Sequence, residues 1–332
     1  MSCFQFRGRH EIAYTEFGGG PAEVTASGRR GRTAPSARSE RPIILIHGLL
    51  LSQTMDYPLA EDLAARGNRV ITVDLLGHGR SERPKDMWLY SMTAFAAQVL
   101  ALMDHLEIGE AVVMGTSLGA NTALEIASIA PQRLRAMVIE MPVLDHALLF
   151  SAFTFTPILL SLTIGAPVMR LVQRVTRMVP RALVPHYGNV LLDLLRQDPG
   201  PSAAVLQGLF FGRIAPHRSE RRTFETRALV IGHRRDPVHP FSDAGMLAEE
   251  LRNARLVEAE SIVELRLRPR RLTREIADFL DEVWAEDGSS RTGTPAPGPG
   301  SSLSEASGSR GDAKMRGGGA SASQPLLGEA GS

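Results

Sequence analysis

Short, mainly apolar runs alternate with helix-like segments along most of this chain, and this alternation restricts the fold more than any other feature. Runs of this kind are typical of strands buried on both faces of a parallel sheet. Strict alternation of strand and helix implies right-handed crossovers, with helices covering both sides of the sheet. The predicted fold class is therefore α/β. The first four such strands are predicted at 43–46, 70–74, 111–114 and 136–140, with helices at 56–66, 93–107 and 119–130.

The alternation stops at Pro142 and resumes only after residue 222. Residues 142–222 read mostly as helix interrupted by prolines, with no clear strand. The sequence therefore predicts a helical cap over 142–222, inserted into a core formed by 1–141 and 223–285. The remaining core elements are a hairpin around Gly8, strands at 228–232 and 255–259, and helices at 242–251 and 272–285.

Two segments lack any apolar periodicity. Residues 18–41 are rich in Gly, Ser and Arg and predict a mobile excursion from the core. From Glu286 the composition turns to Gly, Ser, Pro and Ala, so residues 286–332 are predicted to form a disordered tail.

The pentapeptide GTSLG, residues 115–119, joins a predicted buried strand to an Ala-rich helix. In that context G-x-S-x-G describes a sharp turn that strains the serine backbone and exposes the hydroxyl at the top of the sheet. Side chains at Gly115 and Gly119 would clash across the turn. Ser117 is therefore the candidate nucleophile, although a loop serine that caps the helix is the plainer alternative.

His47-Gly48-Leu49 follows the first buried strand. An acyl-transfer enzyme needs two fixed N–H donors for the tetrahedral oxyanion. The backbone N–H groups of Leu118, directly after the nucleophile, and of Leu49 are the candidates. The imidazole of His47 is expected only to brace this loop.

These motifs together resemble the α/β-hydrolase superfamily. The resemblance rests on IILIHG at 43–48, VDLLGHGRSERP at 73–84, GTSLG at 115–119 and LVIGHRRDPVHP at 229–240, together with the position of the cap. It implies an α/β-hydrolase fold, a mostly parallel sheet with an inserted helical cap. Members of the superfamily catalyse several reactions, so the resemblance does not define the substrate.

In that family the catalytic acid follows the strand after the cap, and the matching carboxylate here is Asp236 in HRRDPVHP. A carboxylate there would orient an imidazole and stabilise its protonated form. A turn aspartate before Pro237 is the structural alternative. Glu140 occupies a second position at which some members carry the acid.

The family's histidine, which follows the last strand, has no counterpart. The matching segment 260–263 reads Glu-Ser-Ile-Val, and no histidine occurs beyond it. Residues 263–268 alternate apolar and charged side chains and predict an edge strand. His239, three residues after Asp236, is the best candidate for a relocated base, ahead of His233, His146 and His186.

The composition limits which binding partners and which cell compartment are expected. A formal charge of +1 over 332 residues and scattered arginines give no reason to expect nucleic acid. One cysteine and a polar amino terminus predict a reducing compartment without a secretory signal, hence the cytoplasm. No metal or cofactor motif is apparent. The uncharged stretch 147–169 predicts an apolar lid with at most weak contact with a membrane surface, and no transmembrane span.

Two functions fit these residues. The first is serine-dependent hydrolysis of an ester, thioester or lactone, because the elbow and the candidate acid are both intact. The phenylalanines of the predicted cap make an apolar substrate the expectation. The second is a non-hydrolytic or inactive α/β-hydrolase-like protein that binds an apolar metabolite, because the usual histidine is absent. The oligomeric state is left open. The phenylalanines are Phe150, Phe153, Phe155, Phe210 and Phe211.

Overall fold

The structure, a computed structural model, describes residues 2–18, 41–144, 147–236 and 238–291, and at 147–152 and 286–291 it describes the backbone alone. Most of the predicted excursion (19–40) and of the predicted tail (292–332) therefore lies outside the described residues, as does His146.

An eight-stranded, mostly parallel sheet forms the centre of the molecule, in the order β1-β2-β4-β3-β5-β6-β7-β8. β1 pairs with β2 and β2 with β4 in antiparallel fashion, and every later pair is parallel. The predicted fold class is thus confirmed, including the hairpin around Gly8. The strands are β1 (Ser2–Phe6), β2 (His10–Phe17), β3 (Pro42–Ile46), β4 (Arg69–Val73), β5 (Ala111–Thr116), β6 (Leu134–Glu140), β7 (Arg227–His233) and β8 (Ala254–Ala259).

Helices cover the sheet, and a further group of helices lies between β6 and β7. Five of them, α4 to α8, lie between residues 147 and 221, where the sequence predicts a helical cap. In chain order the helices are α1 (Tyr57–Ala65), α2 (Met92–His105), α3 (Leu118–Ile129), α4 (Ala147–Thr163), α5 (Ala166–Arg177), α6 (His186–Leu195), α7 (Pro199–Phe211), α8 (Arg218–Arg221), α9 (Phe241–Glu250), α10 (Glu264–Leu267) and α11 (Arg270–Arg291).

The core is divided by the sheet into two apolar layers. Successive residues of β3 alternate between them, because neighbouring side chains of a strand point to opposite faces. Ile44 and Ile46 pack with α2, α3 and α9, whereas Ile43 and Leu45 pack with α1 and α11. Full burial on both faces explains why the parallel strands read as continuous apolar runs.

Two segments differ from the sequence predictions by more than a shift of one or two residues at an element's end. The predicted edge strand at 263–268 is wrong, because residues 264–267 form the short helix α10. Its adjacent residues Glu264 and Leu265 are both buried, which is not expected of an edge strand whose charged residues all face solvent. The last helix also continues to Arg291, six residues past its predicted end at 285, because loss of apolar periodicity does not by itself end a helix.

Among the described residues, no single helix has the length and apolar character needed to cross a membrane. The segment Phe153–Thr163 of α4 and the whole of α5 meet that test only as a pair, and the two are bent by 86°.

Candidate active site

The turn between β5 and α3 holds Ser117 in a strained conformation. Its φ and ψ are 53° and −106°, in a region that residues with a side chain rarely adopt. Its two flanking glycines are required by space. A Cβ at Gly115 would lie 2.0 Å from the carbonyl carbon of Gly119, and one at Gly119 would lie 2.2 Å from the carbonyl oxygen of Ile46. The expected sharp elbow is therefore present.

His239 is in hydrogen-bond contact with the candidate nucleophile. Its Nε2 lies 2.9 Å from Oγ of Ser117, and its Nδ1 lies 2.8 Å from Oδ2 of Asp236. Because Nδ1–H donates to the carboxylate, Nε2 is left to accept the hydroxyl proton. The structure therefore brings together the three side chains that the sequence singled out as nucleophile, base and acid.

Asp236 binds the loop and the imidazole with different oxygens. Oδ1 accepts the backbone N–H groups of Val238 at 2.8 Å and His239 at 2.9 Å, while Oδ2 accepts from the ring. Burial disfavours the charged carboxylate, but the hydrogen bonds from the ring and backbone of His239 and from Val238 outweigh it and lower the pKa of Asp236. The group is thus ionised at neutral pH and oriented toward the base.

The two candidate oxyanion donors border the same cavity as Ser117. Leu118 is the first residue of α3, so its N–H has no acceptor within the helix. Leu49 lies in the loop after β3, where His47 acts as a brace: Nδ1 donates to the carbonyl of Gly48 at 2.8 Å, and Nε2 accepts from the N–H of Leu75 at 3.1 Å. Burial lowers the pKa of His47, in keeping with a neutral ring in this bracing arrangement.

A cavity of about 240 Å³ opens beside Ser117 and is walled mainly by apolar side chains of the core and the cap. Of the cap phenylalanines, Phe155 and Phe210 line it, whereas Phe153 and Phe211 point to solvent and the side chain of Phe150 is outside the described atoms. A larger, arginine-lined cavity of about 330 Å³ contains none of the three candidate catalytic residues. The apolar cavity is lined by Leu49, Met92, Ser117, Leu118, Asn121, Val143, Phe155, Leu206, Leu209, Phe210 and Ile214.

A family model described as alpha/beta hydrolase fold matches residues 41–228 of the chain, more than half of its length. The chain belongs to the alpha/beta hydrolase fold family. The resemblance noted in the sequence is thereby confirmed.

Individual curated relatives match only part of this chain, at 34% and 30% identity. The 2-hydroxymuconate semialdehyde hydrolase of Pseudomonas sp. strain CF600 is 34% identical over 119 residues, which are 35% of this chain and 41% of that protein. Esterase YbfF of Escherichia coli K12 is 30% identical over 118 residues, 35% of this chain and 45% of that one. The chain thus matches less than half the length of either curated relative.

Among solved structures, the enol-lactonase from Burkholderia xenovorans LB400 superposes with a TM-score of 0.62 and 24% identity. The superposition covers 84% of this chain and 99% of that one. At this identity the likeness concerns the fold.

Arg266 is a residue near the candidate site that sequence reasoning missed. It comes from α10, after the last strand, and its Nη2 lies 2.9 Å from both Oε2 of Glu140 and Oγ1 of Thr116. Burial disfavours a charged Glu140, but Arg266, with further help from His233 and Thr116, lowers the pKa of that carboxyl to about 2. Glu140, the alternative acid, is therefore paired with Arg266, while the ring of His239 bonds to Asp236.

A second buried carboxylate shares the same guanidinium. Oδ1 of Asp56 lies 3.5 Å from Nη2 of Arg266. Burial raises the pKa of Asp56 to about 6, with Arg266 opposing the shift and Glu140 adding to it. One cation thus faces two acids directly behind the nucleophile turn, because the carbonyl of Glu140 accepts the N–H of Ser117 at 2.9 Å.

The other histidines that flank the site have separate partners. His233 is buried, with Nδ1 2.9 Å from the carbonyl of Ser261 and Nε2 3.7 Å from Glu140, too far for a hydrogen bond. His186 contacts the carbonyl of Thr54 at 2.9 Å through Nε2. Only His239, among the described histidines, has a hydrogen bond to Ser117.

Proposed function

We propose that this chain is a serine hydrolase that cleaves an apolar ester, thioester or lactone, with Ser117 as nucleophile, His239 as general base and Asp236 as its orienting acid. One observation carries the proposal: a single imidazole contacts the strained serine through one nitrogen and a buried carboxylate through the other. That is the geometric requirement for nucleophilic acyl transfer, whatever the order of the residues along the chain.

The first half-reaction would acylate Ser117. Its Oγ attacks the carbonyl carbon while Nε2 of His239 takes the hydroxyl proton. The negative charge that develops on the carbonyl oxygen is stabilised by the N–H groups of Leu118 and Leu49. The tetrahedral intermediate then expels the alcohol or thiol, which receives the proton from His239, and the acyl group stays on Ser117.

The second half-reaction would release the acid. His239 removes a proton from a water molecule, whose oxygen attacks the acyl carbon. Collapse of the second tetrahedral intermediate returns the proton to Oγ of Ser117. Asp236 stabilises the imidazolium at both stages through its hydrogen bond to Nδ1 and does not itself change protonation state.

The substrate class follows from the cavity beside Ser117. Its wall is predominantly apolar. Asn121 carries the one amide side chain in the wall, and that amide already forms hydrogen bonds within the protein. The side chain of Asn121 bonds to the backbone of Val143 and to the carbonyl of Ile214, each a contact with a cap-side segment. An apolar acyl or alkyl group is therefore the expected occupant. The names of the relatives, an esterase and a semialdehyde hydrolase, agree with hydrolytic chemistry.

The alternative, a non-hydrolytic or inactive protein, was suggested by the absence of a histidine after the last strand. His239 supplies an imidazole from another loop, and this imidazole lies at hydrogen-bond distance from Ser117. The absence of a histidine after the last strand therefore no longer favours the alternative. Nothing else in the described part of the chain favours it.

A fluorophosphonate probe tests the nucleophile directly. The wild-type chain should be labelled covalently at Ser117, and Ser117→Ala should not be labelled. Ser128→Ala is the matched control, since Ser128 lies at the far end of the same helix and bonds to Glu220. Absence of labelling in the wild type, or equal labelling of Ser117→Ala, would exclude the proposed mechanism.

A further inference from the structure

The first half of the cap has an unusual distribution of charge. Between residues 146 and 192 the chain contains no aspartate or glutamate, whereas it contains four arginines: Arg170, Arg174, Arg177 and Arg181. Over the whole chain the acids and bases nearly balance, at 36 and 37. This segment is therefore the part of the cap that favours an anionic partner.

Helix α4 turns an apolar row to solvent. Phe153, Leu160 and Ile164 are exposed, the first and last by 80% and 81%. With Pro157 they follow the spacing i, i+4, i+7, i+11, which places them on one face of a helix. On another side, Phe155 of the same helix lines the cavity of Ser117. One helix thus separates the candidate active site from an apolar outer surface.

Helix α5 continues that surface. Val168, Leu171, Val175 and Met178 are all exposed, Met178 by 81%, and their spacing of three and four residues again defines one face. Ile164, at the bend between the helices, precedes this row by four residues. None of the residues of α5 is buried. A contiguous row of exposed apolar side chains marks an interaction surface.

The arginines of α5 form a second row next to the apolar one. Arg170, Arg174 and Arg177 repeat at intervals of four and three residues and are exposed. On an ideal helix with 3.6 residues per turn this row is centred about 110° from the apolar row, so both rows lie on its solvent side. None of the three arginines forms an ion pair with any described residue. Their charge is available to a partner.

We infer that the surface formed by these rows, which we call the α4–α5 surface, binds the face of an anionic lipid bilayer. An apolar stripe flanked by arginines, on a helix lying in the interface plane, is the pattern of interfacial helices: the apolar side chains enter the acyl boundary and the guanidinium groups meet the phosphates. The bend of 86° between the helices is compatible with lying on the surface.

A second copy of the chain fits this surface less well. A two-fold interface uses the same patch on both copies, so it would gather both arginine rows in one contact. No acidic residue between 146 and 192 would be there to neutralise them. The absence of acids therefore favours lipid phosphates over a homodimer as the partner.

The inference is independent of the chemistry at Ser117, and vesicle flotation of the Ser117→Ala chain tests it without altering the lipid. Vesicles are made of phosphatidylcholine alone, or of equal parts phosphatidylcholine and phosphatidylglycerol. At about 0.1 M salt, where exposed charges still act over about 10 Å, the protein should float with the anionic vesicles and much less with the neutral ones. Higher salt should reduce the flotation.

Matched variants separate the two rows from general effects. Each arginine near an anionic surface contributes roughly fivefold to partitioning, so Arg170→Gln with Arg174→Gln should lower it about 25-fold. Leu171→Ser should lower it about tenfold. The controls are Arg7→Gln with Arg9→Gln in the β1–β2 turn, and Ile129→Ser at the far end of α3, and neither should change flotation.

Two results would overturn the inference. One is no flotation with either kind of vesicle, or a floating fraction that changes neither with lipid charge nor in the row variants. The other is a dimer in sedimentation velocity that Leu171→Ser dissociates, which would make the surface a contact between copies. Circular dichroism verifies that the row variants are folded, and turnover of a water-soluble ester without vesicles, by the chain with Ser117 intact, reports separately on Ser117.

Discussion

Nη2 of Arg266 lies 2.9 Å from Oε2 of Glu140, and the two side chains are 14% and 1% exposed. Arg266 lies three residues after 260–263, the segment where the family resemblance implies a histidine, and Glu140 occupies the family's second position for the acid. Arg266 and Glu140 therefore form an ion pair behind the nucleophile turn.

Removing the cation of this pair should destabilise the fold. Arg266→Met leaves Glu140 and Asp56 in a buried site without their shared partner, and loss of one member of a buried pair typically costs about 3–5 kcal/mol. Urea unfolding at neutral pH measures the change. Arg268→Met, two residues on and exposed, should shift the midpoint little. Equal midpoints for the two variants would show that the pair contributes nothing.

Asp56 should make stability depend on pH in the opposite sense to an ordinary carboxylate. Its pKa is raised in the fold from 3.8 to about 6. Its contribution is therefore fully present below pH 3.8 and is lost as the pH rises through 6, at a cost of about 3 kcal/mol above pH 7. Asp56→Asn should remove this cost. The stability advantage of Asp56→Asn over wild type in urea unfolding should grow by about 1–2 kcal/mol between pH 5 and pH 7.5. A constant difference would contradict the raised pKa.

The elbow should not tolerate a side chain at Gly119. The added methyl group would meet backbone, the carbonyl of Ile46 at 2.2 Å, which cannot rotate away. Gly119→Ala is expected to lose at least about 2 kcal/mol of unfolding free energy and most of the fluorophosphonate labelling. Gly109→Ala, where nothing lies within 4 Å of the added carbon, serves as the control and should behave like wild type.

The cavity beside Ser117 should set the preferred acyl length. Leu209→Trp fills part of the space, so kcat/KM for long-chain esters should fall by about tenfold or more relative to acetate esters. Phe211→Trp lies on the same helix but is 76% exposed, so the preference should stay as in wild type. An unchanged chain-length profile in Leu209→Trp would place the acyl group in another cavity.

The fold could be predicted from sequence because burial on both faces gives an unambiguous pattern. The runs at β3, β4, β5 and β7 are mainly apolar and bounded by polar or glycine-rich turns, so the sequence predicts these strands to within one or two residues. The sharp turn at Ser117 could also be predicted from sequence, because backbone contacts require glycine at positions 115 and 119.

The segment at 263–268 shows where the pattern failed. Four to six residues alternating between apolar and charged match a strand and a single helical turn equally well, so periodicity could not separate them. The decisive contacts are long-range: Arg266 meets Glu140, 126 positions earlier in the chain. The sequence likewise proposed His239 on proximity to Asp236 alone, because a hydrogen bond to Ser117 across 122 positions leaves no local signal.

The role of His239 as general base is tested most directly by the rate of ester hydrolysis in His239→Ala, compared with His186→Ala as a matched control on the cap. Loss of a triad member typically lowers turnover by about 10⁴-fold or more. His239→Ala should show that loss in kcat with its folding intact by circular dichroism, while His186→Ala should turn over at nearly the wild-type rate. Wild-type turnover in His239→Ala would contradict the account, and the base would have to be sought elsewhere.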